Sequence, residues 1–173
     1  WAADYLMSVK KVRRVLVICP VSIMGSAWQG DLFRFVMHRT FDIAHNPRRE
    51  KRRSVIMGEA EFVIINYDGI GVVFDEIRSG GFDLVIVDEA NAYKNPSTVR
   101  WRTLAKLVTK DTWVWMMTGT PAAQSPEDAF GLARMINPDG VPRYKTAWKD
   151  KVMYQVSRFR WLPKSDSQET VFN

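Results

Sequence analysis

Asp88 and Glu89 are the residues of this chain best placed to do chemistry. The apolar run from Leu84 to Val87 predicts a strand buried on both faces, and it ends abruptly at these two carboxylates. Open parallel α/β sheets bind their ligands at the carboxyl ends of strands. There, the first carboxylate could hold Mg²⁺ through water, and the second could orient a water that attacks a phosphate. The alternative is that both are solvated residues at a strand end.

A second apolar run, residues 113–117, ends in the turn Thr118-Gly119-Thr120, and Pro121 stops the strand. The turn offers hydroxyl groups and a flexible backbone, which suit a group that senses a phosphate or the water shell of a metal. Alternatively, it is only a connection from a strand to a helix. The occurrence of both strand ends in this order favours a functional site.

The elements that position these residues alternate along the chain. Strands are predicted at 15–19, 41–44, 62–65, 83–87 and 113–117, and helices at 26–38, 48–58, 69–78, 98–108 and 126–136. This alternation predicts an α/β fold with a parallel sheet covered on both faces by helices. Right-handed crossovers would bring the strand ends at Cys19, Asn66, Asp88 and Thr118 to one rim.

Four segments follow one another in the order of a known set of motifs. They are Val15 to Ser22 with Trp28, Phe62 to Asp68, Asp88 to Asn91, and Thr118 to Pro121. Together they resemble motifs Ia, Ib, II and III of the Swi/Snf-type branch of superfamily 2 helicase-like ATPases, in particular its phage and bacterial members. The resemblance implies the first RecA-like lobe of a P-loop NTPase that uses ATP and Mg²⁺ to move along duplex DNA without sequence preference.

The resemblance also implies roles for individual residues. Asp88 would be a catalytic residue that binds Mg²⁺ through water, and Glu89 would orient the attacking water. Asn91, where the family often has His, would couple nucleotide state to the DNA-facing side, and an amide can still donate and accept hydrogen bonds there. The further coupling residues implied are Thr118, Gly119 and Thr120, and the DNA contacts implied are Pro20, Ser22, Asn66, Tyr67, Lys94 and Asn95. Alternatively, Tyr67 packs at a helix start, and Lys94 and Asn95 only close the loop after the carboxylates. Trp28 is interpreted as a residue packed against the sheet.

The family's phosphate-binding loop, Gly-x-x-x-x-Gly-Lys-Ser/Thr, does not occur in the 173 residues. The expectation is therefore an N-terminally truncated RecA-like lobe at residues 1–140. Residues 141–173 would form a basic and aromatic extension that leads toward a second RecA-like lobe of the parent chain. The parent protein is expected to hydrolyse ATP, and this chain by itself is expected to be inactive because the lysine and the backbone anion site are missing.

Composition favours an intracellular protein. A hydrophobic content of 46% can supply one substantial core, and the single Cys19 excludes an internal disulfide framework and fits a reducing compartment. No run approaches the roughly 20 apolar residues that span a bilayer, and no signal peptide is recognisable, so no membrane partner is expected. Because the motifs resemble in particular those of phage and bacterial members of the family, the expected location is the cytoplasm of a bacterial or phage-infected cell.

Charge favours a polyanionic partner. The chain has 25 Lys and Arg against 19 Asp and Glu, a formal net charge of +6, and DNA is the polyanion that fits the motifs. Basic residues are concentrated at Arg48 to Arg53 and from Arg143 to Lys164, and each run could instead be a solvated face.

Two further interpretations stay open at this level. One is a strand-separating helicase of the same superfamily, since translocation and unwinding share motifs Ia to III. The other is a non-enzymatic DNA-binding or docking module on a degenerate RecA-like scaffold, because fold alone does not decide function. A Gly-Lys-Thr/Ser loop encoded upstream of Trp1 would exclude the module.

Overall fold

The computed structural model describes residues 1–122 and 125–172 and divides into two compact units. The first unit consists of residues 1–89 and 102–117, and the second of residues 90–101 and the described residues beyond 117. The predicted boundary between residues 1–140 and 141–173 concerns functional lobes and stays a prediction.

The first unit contains the predicted parallel sheet. Its strands are Val15–Cys19 (β1), Phe41–Ile43 (β2), Phe62–Asn66 (β3), Leu84–Val87 (β4) and Trp113–Met116 (β5). They pair in parallel in the order β2-β3-β1-β4-β5. Every predicted strand is therefore confirmed, and the bounds differ by no more than one residue at either end.

Helices connect these strands. They are Ala2–Ser8 (α1), Val21–Ile23 (α2), Gly30–Phe35 (α3), Arg49–Ile56 (α4), Gly69–Val72 (α5), Phe74–Ser79 (α6) and Val99–Leu107 (α7). Three predicted helices are not continuous α-helices. The helix predicted at 126–136 begins as the 3₁₀ turn Pro126–Ala129 and becomes an α-helix only over Phe130–Ile136. The helix predicted at 26–38 is a π-helical turn, Met24–Gln29, followed by α3. The helix predicted at 69–78 breaks at Val73, whose φ of −125° and ψ of 39° are not helical.

The sheet is buried on both faces. All five residues of β1 are buried, and successive side chains of a strand point to opposite faces. On one face, Val15, Val17 and Cys19 belong to a core that includes Ala3 and Met7 of α1. On the other face, the side chains of Leu16 and Ile18 are also fully buried, so helices cover this face too. The predicted two-sided covering is confirmed.

The second unit has its own helices and a two-stranded ribbon. The helices are Phe130–Ile136 (α8), Lys145–Val152 (α9) and Ser167–Phe172 (α10), and the antiparallel strands are Met153–Ser157 (β6) and Arg160–Pro163 (β7). Short 3₁₀ turns form at Ala90–Tyr93 and Pro126–Ala129. Trp148 is 2% exposed and packs with Phe130, so this aromatic side chain is a core residue of the unit.

No helix in the described ranges combines the length and the apolarity that crossing a bilayer demands.

An ion-pair network in the first unit gives a prediction about stability and pH. Arg39 Nε donates to Asp4 Oδ1 at 2.7 Å, His38 Nε2 lies 2.9 Å from the same oxygen, and Arg39 Nη1 donates to Glu61 Oε1 at 2.9 Å. The hydrogen bond from Arg39 holds the pKa of Asp4 below its ordinary value of 3.8. The ionised carboxylate therefore stabilises the fold above that value, and its contribution is lost as the pH falls through the lowered pKa.

We expect Asp4→Asn to lower the free energy of unfolding at pH 7 by about 1–2 kcal/mol, because the acceptor of the hydrogen bond from Arg39 loses its negative charge. The difference from the wild type should shrink once the pH is below the folded pKa of Asp4. Urea unfolding at a series of pH values measures both effects. Asp111→Asn, which changes an exposed loop carboxylate, is the control. An equal loss at all pH values would contradict the electrostatic explanation.

Candidate functional site

Asp88 lies at the point where the strand order of the sheet changes direction. Strands β3 and β2 follow β1 on one side, and β4 and β5 lie on the other. The backbone N–H of Asp88 donates to the Ile18 carbonyl oxygen at 2.8 Å, so pairing between β4 and β1 continues to this residue. The Asp88 side chain is half-buried at the carboxyl edge of the sheet. Ligands of open α/β sheets bind at such a topological switch point, outside the carboxyl ends of the strands.

Two hydrogen bonds fix the Asp88 carboxylate. Trp28 Nε1 donates to Oδ2 at 2.9 Å, and the backbone N–H of Glu89 donates to Oδ1 at 2.9 Å. Trp28 lies in the π-helical turn between α2 and α3 and packs against the core beneath it. Each carboxylate oxygen accepts one of these bonds and has a second lone pair for another donor. The carboxylate is thus held in one orientation with acceptor capacity left over.

Glu89 has a strained backbone and an exposed side chain. Its φ is +49°, in the left-handed region, which costs a residue with a Cβ about 1–2 kcal/mol. The Tyr67 hydroxyl donates to the Asp88 carbonyl oxygen at 2.6 Å and lies 3.2 Å from the Glu89 carbonyl oxygen. Tyr67 therefore contacts the backbone of the turn at both carboxylate residues. Strain of this kind is concentrated at functional sites.

Cys19 ends β1 beside Asp88 and is completely buried. Burial, with a smaller contribution from the negative charge of Asp88, raises the pKa of the thiol to about 12. The thiol is therefore protonated at neutral pH. It is a packing residue and not a nucleophile.

A cavity of about 410 Å³ adjoins Asp88 in the first unit. Its size is within the range of small-molecule sites. The residues that line it are Trp1, Ala27, Trp28, Asp31, Leu32, Phe35, Val36, Asp88 and Met117. A polar group that approaches Asp88 here would do so beside an aromatic wall.

The donor set around Asp88 fits Mg²⁺ held through water. Among residues 1–122 and 125–172 there is no group of three His, Cys, Asp or Glu side chains that could form a metal cage. Magnesium does not need such a cage, because it keeps several waters and binds through one or two carboxylates together with phosphate oxygens. The oriented Asp88 carboxylate beside the cavity could supply one such carboxylate.

The predicted DNA contacts of the first unit are only partly available. Ser22 is exposed and Pro20 is half-buried at the start of α2. Asn66 is engaged within the protein, since its Oδ1 accepts from Arg52 Nη1 at 3.0 Å and lies 3.2 Å from His45 Nδ1. These contacts use the Asn66 carbonyl oxygen, and its DNA contact stays a prediction.

The basic run at Arg48 to Arg53 is largely used inside the first unit. Arg49 donates to Glu76 Oε1 at 2.7 Å and Arg53 lies 3.7 Å from the same oxygen. Arg52 donates to the Asn46 carbonyl oxygen as well as to Asn66. Three of the basic side chains in this run thus have structural partners, which favours the structural interpretation over DNA contact for them.

The second unit brings together residues of motifs II and III. Asn91 Nδ2 donates to Thr120 Oγ1 at 3.0 Å, and the backbone N–H of Thr120 donates to Thr118 Oγ1 at 3.2 Å. The amide at position 91 therefore contacts the motif that the resemblance led us to expect. A Cβ on Gly119 would meet no atom within 4 Å, so the turn leaves open space there. The coupling role of these residues stays a prediction.

Asn95 closes the loop that leads to α7. Its Oδ1 accepts from Ser97 N at 3.0 Å and from Ser97 Oγ at 2.8 Å, and its carbonyl oxygen accepts from Thr98 Oγ1 at 2.9 Å. Lys94 is exposed. The geometry gives Asn95 a local structural role, while Lys94 is accessible to a partner.

Gly131 of α8 fits tightly against this loop. A Cβ there would lie 2.8 Å from the Tyr93 carbonyl oxygen and closer still to that of Lys94. Trp101 Nε1 donates to the Gly131 carbonyl oxygen at 2.9 Å. Within the second unit, Gly131 thus sets the position of the segment that follows the carboxylate motif.

Comparison with known proteins places the chain in a family. The profile of the SNF2-related domain matches residues 3–170, and the chain belongs to this family. It is 28% identical over 135 residues to the helicase-like transcription factor of Oryctolagus cuniculus, covering 73% of this chain and 13% of that protein. It is 27% identical over 128 residues to the uncharacterized ATP-dependent helicase YqhH of Bacillus subtilis, covering 73% of this chain and 21% of that protein.

Among solved structures, the chain is similar to the Sulfolobus solfataricus SWI2/SNF2 ATPase core in complex with dsDNA. The TM-score is 0.69 at 21% identity, over 86% of this chain and 30% of that chain. This likeness supports the RecA-like fold. The chain spans only 13% and 21% of the lengths of the two relatives named above. The narrower expectation of a phage or bacterial branch stays a prediction.

Sequence reasoning missed the contacts that hold the carboxylates. Trp28 was noted as part of motif Ia and interpreted as a packing residue, whereas it both packs and donates to Asp88. Tyr67 was interpreted as a DNA contact or as packing at a helix start, whereas its hydroxyl supports residues 88 and 89. The available signal was the apposition of the ends of β1, β3 and β4, which places the following residues near one another.

Proposed function

We propose that this chain is part of a DNA-dependent ATPase that couples ATP hydrolysis to movement along duplex DNA. The observation that carries the proposal is the Asp88-Glu89 pair. The Asp88 carboxylate is oriented by two donors and has lone pairs left, and the exposed Glu89 follows it in a strained turn. Membership of the SNF2-related domain family supports the same conclusion.

Asp88, Glu89 and Tyr67 would have different roles in ATP hydrolysis. Bound ATP and Mg²⁺ would supply the phosphate to be attacked and the cation that offsets its charge. Asp88 would bind the waters around Mg²⁺, and its carboxylate is already oriented because Trp28 Nε1 and the Glu89 N–H each donate to one of its oxygens. Glu89 would orient the attacking water and accept its proton, a role that a carboxylate can fill. Tyr67 would hold the backbone of these two residues in position through its hydroxyl group.

Coupling to DNA would use the Asn91–Thr120 hydrogen bond, which joins the segment after the carboxylates to the Thr118-Gly119-Thr120 turn. For DNA itself we propose contacts to the phosphate backbone from Pro20, Ser22, Asn66, Tyr67, Lys94 and Asn95, of which Pro20, having no N–H to donate, makes only a van der Waals contact. For Asn66 the contact is limited to its amide N–H₂, and for Tyr67 and Asn95 it is secondary to their structural roles. Phosphate contacts carry no sequence information, so binding would be non-specific.

The wider setting is also a proposal. A second RecA-like lobe in the complete protein would supply the remaining catalytic groups, and these 173 residues alone would not turn over ATP. The single, buried and protonated Cys19 is compatible with a reducing cytoplasm of a bacterial or phage-infected cell.

The experiment that tests this function uses the product of the complete reading frame that contains these residues. ATP-dependent displacement of a third strand from a DNA triplex, without separation of the duplex, is expected for a translocase. Separation of forked duplexes would favour the strand-separating helicase. Duplex binding with no ATP hydrolysis and no displacement would favour the non-enzymatic module and contradict the proposal.

A further inference from the structure

The turn of the β6–β7 ribbon presents an aromatic ring between two arginines. Every residue from Tyr154 to Arg160, the segment called here the hairpin tip, is exposed, and Phe159 is 88% exposed. Arg158 lies over the Phe159 ring, with its guanidinium carbon 5.4 Å from the ring centroid. The hairpin tip contains no carboxylate. It is therefore a cationic surface with a solvent-facing ring.

The base of the ribbon is fixed. Met153 is buried in the core of the second unit, and Trp161 packs against that core with Lys149 Nζ 4.5 Å from its ring centroid. Trp161 pairs with Gln155, and a bulge lies between Gln155 and Ser157. Bulges bend and twist a ribbon and redirect its side chains. The tip is thus a projection from an anchored base.

The positive charge of the chain is concentrated around this ribbon. Residues 143–164 contain seven Lys or Arg and one acidic residue, Asp150, and so carry +6, which equals the net charge of the whole chain. The other residues balance, with 18 basic against 18 acidic. In contrast to the arginines of α4, which bind Glu76 and Asn66, Arg158 has its guanidinium against an exposed ring.

We propose that the hairpin tip is a nucleic-acid contact in which Arg158 and Arg160 bind phosphates and Phe159 stacks on an unpaired base. The proposal rests on the proposed function and adds a contact outside motifs Ia to III. An arginine pair provides sequence-independent affinity for the phosphate backbone of a nucleic acid. A protruding aromatic ring provides a surface on which any nucleobase can stack. The preferred DNA is then a junction where single-stranded bases are exposed.

The test compares blunt duplex, single-stranded and forked DNA by fluorescence anisotropy with the product of the complete reading frame. Stacking of one base is worth about 1–3 kcal/mol, which is about 5- to 150-fold in Kd. Phe159→Ala should therefore raise the Kd for single-stranded and forked DNA by at least about fivefold, and it should leave the Kd for blunt duplex within about twofold of the wild-type value. Arg158→Gln with Arg160→Gln should weaken binding to all three DNAs. For blunt duplex, it should also reduce the slope of log Kobs against log[salt] by about 1.8.

Matched controls come from exposed residues elsewhere. Phe33→Ala removes another exposed ring, 71% exposed, and Lys106→Gln with Lys110→Gln removes two exposed charges. If Phe159→Ala binds all three DNAs as the wild type does, or weakens only blunt duplex, stacking is overturned. If the arginine pair behaves as the lysine pair does, the phosphate contacts are overturned. A wild type that binds no DNA would instead contradict the DNA part of the proposed function.

Discussion

Glu89→Gln is expected to lower the DNA-stimulated rate of ATP hydrolysis at least about 100-fold, because a group that orients and deprotonates the attacking water contributes about 10²- to 10⁴-fold. The substitution keeps the size of the side chain and removes its charge. Glu89 is exposed, so the fold should be unchanged. The measurement is steady-state ATP hydrolysis by the product of the complete reading frame, with saturating duplex DNA.

Glu59→Gln is the matched control. Glu59 is also exposed, but it precedes β3 and so belongs to the opposite edge of the sheet. Its rate should stay within about twofold of the wild type. Both variants should bind duplex DNA as the wild type does, since the proposed phosphate contacts are untouched. A Glu89→Gln rate within about threefold of the wild type would remove Glu89 from the catalytic step.

Gly131→Ala is expected to lower the free energy of unfolding by about 3 kcal/mol, the upper part of the usual range for overpacking. The added methyl group would collide with the carbonyl groups of Tyr93 and Lys94, which are backbone atoms and cannot move aside as a flexible side chain could. Urea denaturation measures the loss. Because this loop follows the carboxylate motif directly, DNA-stimulated hydrolysis should fall as well.

Gly71→Ala provides the contrast, because it makes the same chemical change at an exposed position of α5. A Cβ there meets no atom within 4 Å. Alanine is favoured over glycine inside a helix by about 0.5–1 kcal/mol, so this variant should be slightly more stable than the wild type. A loss below about 1 kcal/mol for Gly131→Ala would mean that α8 can shift away from the loop.

The sheet could be predicted from the sequence because its signal is local and strong. Runs such as Val15 to Cys19 and Leu84 to Val87 are apolar at every position, which is typical of strands buried on both faces. Their order, with helical segments between them, was enough to predict a parallel sheet. The carboxylates at the end of β4 followed from the same pattern.

The interruptions in the helices could not be predicted, because they depend on tertiary contacts. The π-helical turn at Met24–Gln29 carries Trp28, which reaches Asp88 across 60 positions of sequence. Likewise, the hydroxyl of Tyr67 can reach the carbonyl oxygens of residues 88 and 89 only when β3 and β4 lie on either side of β1. Amphipathic periodicity carries no information about such partners. The structural use of Arg49, Arg52 and Arg53 was hidden for the same reason, since charge counts do not distinguish paired from free side chains.

Asp88 and Glu89 are proposed to belong to a DNA-stimulated ATPase, and the DNA dependence of ATP hydrolysis decides whether they do. ATP hydrolysis by the product of the complete reading frame is measured with Mg²⁺, first without DNA and then with increasing duplex DNA of unrelated sequences. We expect the rate to rise at least about tenfold and to saturate, equally for each DNA sequence, because phosphate contacts do not read bases. A rate that DNA leaves unchanged, or the absence of hydrolysis under every condition, would contradict the proposal.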